Sequence, residues 1–283
     1  MKEESQRELA VYFALAYAIS WLVWLPLVFG SGGVGLLHVS PPNVVTLFSG
    51  SIELPAWLMA GTFGPTAAAL ITQRLFGGRM SGFSFFTALR PMIKGFIVGA
   101  LCILIVRWLI PALAVTRSGF DRWDWEALTY IRYYFLPSLL VGPLGEEPGW
   151  RGFALPRMQS MYGPSRASLV LGVLWSGWHL PLFLLHGWSS APVWAFFAIN
   201  TSLSVFMTFG HNLSRGSVLV AILLHTVHNS AGAPLHMFLD GAALRGHFDE
   251  ITACSFLVGA AVLMISTTGH LGRNAGIAPS RKG

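Results

Sequence analysis

Leu9-Ala-Val-Tyr-Phe-Ala-Leu-Ala-Tyr-Ala-Ile-Ser-Trp-Leu-Val-Trp-Leu-Pro-Leu-Val-Phe29 contains no charged side chain. A bilayer-spanning helix needs about 20 mostly apolar residues, and this stretch meets that length. The preceding residues carry charges of both signs, and no small-residue cleavage site follows, so the run is expected to be a retained helix and not a signal peptide. The same criterion marks seven further spans: Leu54–Phe76, Met92–Val115, Leu128–Leu144 with a helical continuation, Ala167–Leu185, Pro192–Phe209, Ser217–Phe238 and Ile251–Thr268. Between the first two, Ser31–Glu53 is rich in Gly, Ser and Pro and is expected to be a surface loop.

The whole chain agrees with that opening. Of its 283 residues, 54% are apolar and only 11% charged, with a mean hydropathy of +0.60. Soluble domains average about 25% charged residues, too many for this chain to match. Long apolar runs over the full length exclude a disordered chain, a collagen and a small disulfide-stapled module. Cys102 and Cys254 fall inside apolar stretches, so neither a disulfide nor a zinc-cysteine site is expected. The expected fold is all-α: one polytopic membrane domain over residues 1–283, with about eight transmembrane helices around a polar intramembrane cavity.

The net charge of +6 does not point to nucleic acid, because the basic residues lie singly in short loops. Counting Lys and Arg in alternate loops orients the bundle. Arg117, Arg122, Arg132 and Arg245 lie in one set, Arg107 lies within a span, and the other 13 of the 18 lie in the opposite set. Both termini are therefore expected in the cytoplasm, with the protein in the cell membrane.

An ionisable group at membrane depth is expensive and marks a functional candidate. Ten of the 12 carboxylates sit at the N-terminus, in loops or at span ends. Glu146 and Glu147 remain, inside Val141-Gly142-Pro143-Leu144-Gly145-Glu146-Glu147-Pro148-Gly149-Trp150-Arg151. On a helix Glu147 and Arg151 are four apart and can pair, while Glu146 points about 100° away. The bland alternative for Glu147–Arg151 is a salt-bridged helix end. Two adjacent carboxylates also resist joint ionisation unless a cation neutralises one of them.

Three histidines lie at depth: His179 in Trp175-Ser176-Gly177-Trp178-His179, and His225 and His228 in His225-Thr226-Val227-His228-Asn229. His225 and Asn229 share a helical face, whereas His228 lies off it and reads as packing. Glu146 with His179 can polarise a water, and His225 with Asn229 can donate to a developing oxyanion. That is the chemistry of acyl hydrolysis. The His-Glu-x-x-His zinc helix, the Gly-x-Ser-x-Gly elbow and the Gly-x-Gly-Asp signature are all absent from the sequence. Two histidines and a carboxylate also make a catalytic zinc set, so a metal held by Glu146, His179 and His225 stands as the alternative.

Glu146-Glu147-Pro148-Gly149-Trp150-Arg151 fits Glu-Glu-x-x-x-Arg, Trp175 to His179 is close to Phe-x-x-x-His, and His225 to Asn229 fits His-x-x-x-Asn. This ordered trio resembles the motifs of the CAAX protease and bacteriocin-processing (CPBP, abortive-infection-like) intramembrane proteases. That family includes the type II CAAX prenyl endopeptidase, or Ras-converting enzyme. Gly64-Pro65-Thr66-Ala67-Ala68-Ala69 is similar to a further element of the family, and the motif core covers about residues 128–240. The resemblance implies a roughly eight-helix protease whose cavity opens to the cytoplasmic leaflet and whose substrate is a membrane-associated or prenylated CAAX-type peptide beside membrane lipid. It implies that Glu146 and His179 activate water, that His225 and Asn229 stabilise the tetrahedral intermediate, and that Glu147 and Arg151 shape the site or orient substrate. No cofactor is required on this reading, with zinc as the metalloendopeptidase variant. Trp175 replaces the family's phenylalanine and is expected to supply an aromatic wall. The competing classes are a proton-coupled transporter or channel and a catalytically silent immunity-type scaffold.

Overall fold

The computed structural model describes residues 2–37, 44–47, 52–77, 84–109, 111, 127–189, 191–231 and 247–273. His38, His236 and the carboxylates Asp121, Asp124, Glu126 and Asp240 lie outside them.

The first span forms α1 (Lys2–Phe29), which tolerates Pro26 near its C-terminal end. The following loop contains an antiparallel hairpin of β1 (Val44–Leu47) and β2 (Ile52–Pro55). The second expected span is broken at Phe63 into α2 (Ala56–Thr62) and α3 (Gly64–Leu75). Pro65 supplies no backbone N–H and favours a helix start there. The third span forms α4 (Leu89–Leu104), which widens into a π-helical turn over Ile105–Leu109. The fourth is divided into α5 (Ala127–Leu140) and α6 (Pro143–Glu147), and then continues as a π-helical segment, Pro148–Ala154, and α7 (Leu155–Tyr162). The fifth gives α8 (Pro164–Trp178) and a 3₁₀ turn over Leu180–Leu184. The rest are α9 (Val193–Leu213), α10 (Val218–Ser230) and α11 (Phe248–Ser266).

Five of the described helical segments are long and apolar enough to cross a bilayer: Glu3–Phe29, Leu89–Trp108, Pro164–Leu184, Val193–Leu213 and Phe248–Ser266. Their outward faces are apolar. Ile93, Ile97, Leu101 and Ile105 form an exposed stripe at four-residue spacing, and Val258, Val262 and Ile265 form another on α11. A water-facing surface would reverse that pattern. The protein is a polytopic helical membrane bundle.

At the centre, α9 packs against α8, α4, α10 and α11, while α1 packs against α2 and α3. Small residues allow the closest approaches. A Cβ on Gly95 would sit 2.5 Å from the carbonyl oxygen of Gly210, and one on Gly172 would sit 2.7 Å from the Cα of Thr201. Membrane helices associate through this kind of close backbone packing. Below the Glu146 segment, Tyr12, Trp24, Trp150, Phe153 and Trp178 form a buried aromatic layer. Trp21 donates to the carbonyl of Trp178 at 2.9 Å, and Tyr17 donates to that of Leu174, joining α1 to α8.

Candidate active site

The site is built on the interrupted fourth span. Val141 and Gly142 break the helix, and Gly142 has φ of 122°, a backbone open mainly to glycine. Its carbonyl then accepts from the N–H groups of Gly145 and Glu146, both at 2.9 Å, which starts α6 and fixes the direction of Glu146.

The Gly64-Pro65-Thr66 element presses onto this segment from α3. Thr66 Oγ1 donates to the Gly145 carbonyl at 2.6 Å. A Cβ on Gly149 would lie 2.4 Å from the Pro65 backbone, and one on Gly145 would lie 2.8 Å from the Thr62 oxygen. No side chain fits at either glycine. The opposite side is covered by α10.

The two adjacent carboxylates have different surroundings. Glu146 is 3% exposed and Glu147 0%, so both need partners to be tolerated there. Both oxygens of Glu147 accept from Arg151 Nη1 at 2.9 Å, and Oε1 also contacts His225 Nδ1 at 2.8 Å. Since a carboxylate only accepts, Nδ1 of His225 carries the proton and Nε2 is left for other work. Glu146 makes no ion pair among the described residues. Its Oε2 accepts from the indole N–H of Trp175 at 2.7 Å.

Trp175 also organises its neighbours. The Arg151 guanidinium lies 4.5 Å from its ring centroid, and the His225 ring meets it edge-on at 5.0 Å. Its carbonyl accepts from His179 Nδ1 at 2.8 Å, leaving Nε2 of His179 unprotonated in the neutral ring. The expected aromatic wall is therefore also a donor to Glu146 and an acceptor for His179. Tryptophan has an indole N–H, which was visible in the sequence. Its direction depends on the rotamer and on how α8 meets α6.

Glu146, Glu147, Arg151, Trp175 and His225 form one continuous buried cluster. Half-buried His179 sits at its edge, its ring set among Trp178, Phe196 and Trp188 at 4.7, 5.2 and 5.9 Å. Asn229 is on the exposed side of α10, but it reaches the same place as Glu146. The point where a Cβ of Gly142 would stand is 3.1 Å from Glu146 Oε1 and 3.8 Å from Asn229 Nδ2. His228 packs edge-on against Phe256 at 5.5 Å, away from this cluster.

Glu146, Glu147 and His225 each offer a ligand atom within 4.8 Å of the others, so this buried group can hold a metal ion. The set differs from the expected one, with Glu147 in the place of His179. Carboxylate and imidazole donors suit zinc. Arg151 already holds both Glu147 oxygens, so an ion would share that carboxylate with a cation.

Residues 128–231 match the family described as "Rce1-like: Type II CAAX prenyl endopeptidase Rce1-like". Over these residues the chain is similar to the Rce1-like family. A curated relative, "CAAX prenyl protease 2" of Methanococcus maripaludis, is 29% identical over 134 residues, 44% of this chain and 47% of its own length. The chain thus spans about half the length of that relative. The Rce1-like segment carries all seven residues singled out by the sequence, whereas α3, which packs on the Glu146 segment, lies outside the match.

Proposed function

We propose that this chain is an intramembrane endopeptidase of the Rce1-like kind, cleaving a peptide bond near the cytoplasmic surface of the cell membrane. The substrate class is a prenylated CAAX-type or other membrane-associated peptide, with both termini of the enzyme on the cytoplasmic side. The observation that carries this reading is the split carboxylate pair: Glu147 is neutralised by Arg151, while Glu146 keeps no ion pair among the described residues. A carboxylate without a counter-ion in a desolvated site is suited to taking a proton.

In this mechanism Glu146 removes a proton from a water while Nε2 of His179 accepts the water's other hydrogen bond. The water oxygen bonds to the scissile carbonyl carbon and the carbonyl becomes an oxyanion. Asn229 Nδ2 donates to that oxygen, as does Nε2 of His225 when the ring is protonated, and the oxyanion then balances the imidazolium charge while Glu147 stays paired with Arg151. Glu146 then returns its proton to the amide nitrogen, the C–N bond breaks, and a carboxylic acid and an amine leave. Arg151 Nε and Nη2 have no partner among the described residues and can orient a substrate carbonyl. If zinc is bound, Glu146, Glu147 and His225 would hold it, and it would supply carbonyl polarisation and a more acidic water.

The test is cleavage of a fluorogenic lipidated-peptide library by purified protein, with and without chelator, beside metal analysis. Glu146→Ala and His179→Ala should each lower turnover by about 10²–10⁴-fold with the helical content kept. Chelation should leave wild-type turnover unchanged on the glutamate reading and abolish it on the zinc reading. Retained turnover in Glu146→Ala would overturn the assignment.

A further inference from the structure

A second cavity is lined by residues outside the Glu146 cluster. A cavity of about 1000 Å³ opens between the start of α4, α7, the end of α9 and the turn after α11. None of the seven residues discussed above lines it. Its walls carry Arg90, Lys94, Arg215 and Arg273, and no carboxylate is among its lining residues. Arg90, Lys94 and Arg215 are exposed, and none of the four joins an ion pair among the described residues. Four like charges around one cavity repel one another, and an anion between them removes that cost.

Two features shape the inner wall of the cavity. His211, only 4% exposed, lines it, with its ring against the Asn212 side chain and the Gly216 backbone. One wall is also pre-set: Arg273 Nη1 donates to Gln159 Oε1 at 3.0 Å, Gln159 Nε2 to Asn212 Oδ1 at 3.1 Å, and Asn212 Nδ2 to the Leu271 carbonyl at 2.9 Å. Arg215 has φ of 61°, at the helix-ending position that usually belongs to glycine.

We propose that this cavity binds a phosphate group. Phosphate offers several acceptor oxygens to guanidinium forks, whereas a peptide carboxylate offers two and a single charge. The volume exceeds that of inorganic phosphate and leaves room for the glycerol of a headgroup. The cavity also lies at a helix-end surface, where basic pockets meet anionic lipid heads. Free phosphate shares the same chemistry, and the experiment separates the two.

Purified full-length protein in neutral detergent is titrated with dioctanoyl phosphatidylglycerol, and separately with inorganic phosphate, with native mass spectrometry and the thermal unfolding midpoint as readouts. Saturable one-to-one lipid binding should weaken about 10-fold or more in Arg90→Gln/Lys94→Gln. It should be unchanged in Arg7→Gln/Arg74→Gln, two cations outside the cavity. His211→Leu should also weaken it without touching the surface charge. Displacement of the lipid by inorganic phosphate, with saturation by phosphate alone, assigns the free anion as the ligand; lipid binding without such displacement assigns the headgroup. The proposal is overturned if neither probe saturates, if both double variants bind as well as wild type, or if a short peptide with a free C-terminal carboxylate binds more tightly than either probe.

Discussion

α9 and the segment 143–154 both run through the interior, and both carry buried polar side chains, yet they are built in opposite ways. α9 is an unbroken helix of 21 residues whose buried Asn200, Ser202, Ser204 and Thr208 are all uncharged. Segment 143–154 contains two prolines, three glycines, a glycine-dependent break before it and a π-helical stretch, and it holds Glu146, Glu147 and Arg151. In a bilayer, backbone that departs from the α-helix survives only where other protein covers it. Here α3 and α10 provide that cover. The irregular segment brings charges together, and the regular one ties α4, α8, α10 and α11 into one frame.

Four substitutions would break or sharpen this contrast. Arg151→Met leaves Glu147 buried beside a single partner, His225, and should cost about 3–5 kcal/mol of stability, measured by thermal unfolding in detergent. A loss below about 1 kcal/mol would mean that the ion pair is not what makes the buried carboxylate tolerable. Gly142→Ala should cost about 1–3 kcal/mol, because alanine resists this backbone and its Cβ would approach Glu146 Oε1. Turnover should fall with it if the break aims Glu146. Trp175→Phe keeps a ring and removes the indole donor from the buried Glu146, so stability should fall by about 1–3 kcal/mol and kcat by about 10-fold. An unchanged kcat would reduce Trp175 to packing. On α9, Ser204 Oγ has no partner among the described residues, and Ser204→Ala should shift stability by no more than about 0.5 kcal/mol.

Much of this architecture was legible in the sequence, for a physical reason. Length and apolarity suffice to mark a membrane helix, so α9 and α11 appear close to their expected bounds, while α1 ends at Phe29 as expected but begins at Lys2, ahead of the apolar run. The Glu147–Arg151 pair followed from four-residue spacing alone, and it survives the wider π-helical turn between its partners. The breaks at Phe63 and Gly142 were less legible. A proline inside an apolar run can start a new helix, as at Pro65, or sit within one that continues, as α1 does past Pro26. Contacts between distant elements left no periodic trace at all. His225 and Glu147 are 78 residues apart, and Trp175 and Glu146 are 29 apart. Their bonds exist only once α6, α8 and α10 are packed. The basic cavity escaped the sequence for the same reason, since Arg90, Arg215 and Arg273 read there as separate orientation signals.

The π-helical stretch over Pro148–Ala154 carries one more consequence. Such a stretch accommodates an extra residue in a helix that would otherwise keep a regular period. Removing one residue there would let the chain return to an α-helix with the turns beyond it still in phase, so Gln159 would keep facing Asn212 and Arg273. The change would fall inside the stretch, where a deletion between Glu147 and Arg151 would shorten the spacing of their ion pair from four residues to three. The surplus residue thus acts as a local spacer: the charges within the stretch read its length, and the helix that follows does not.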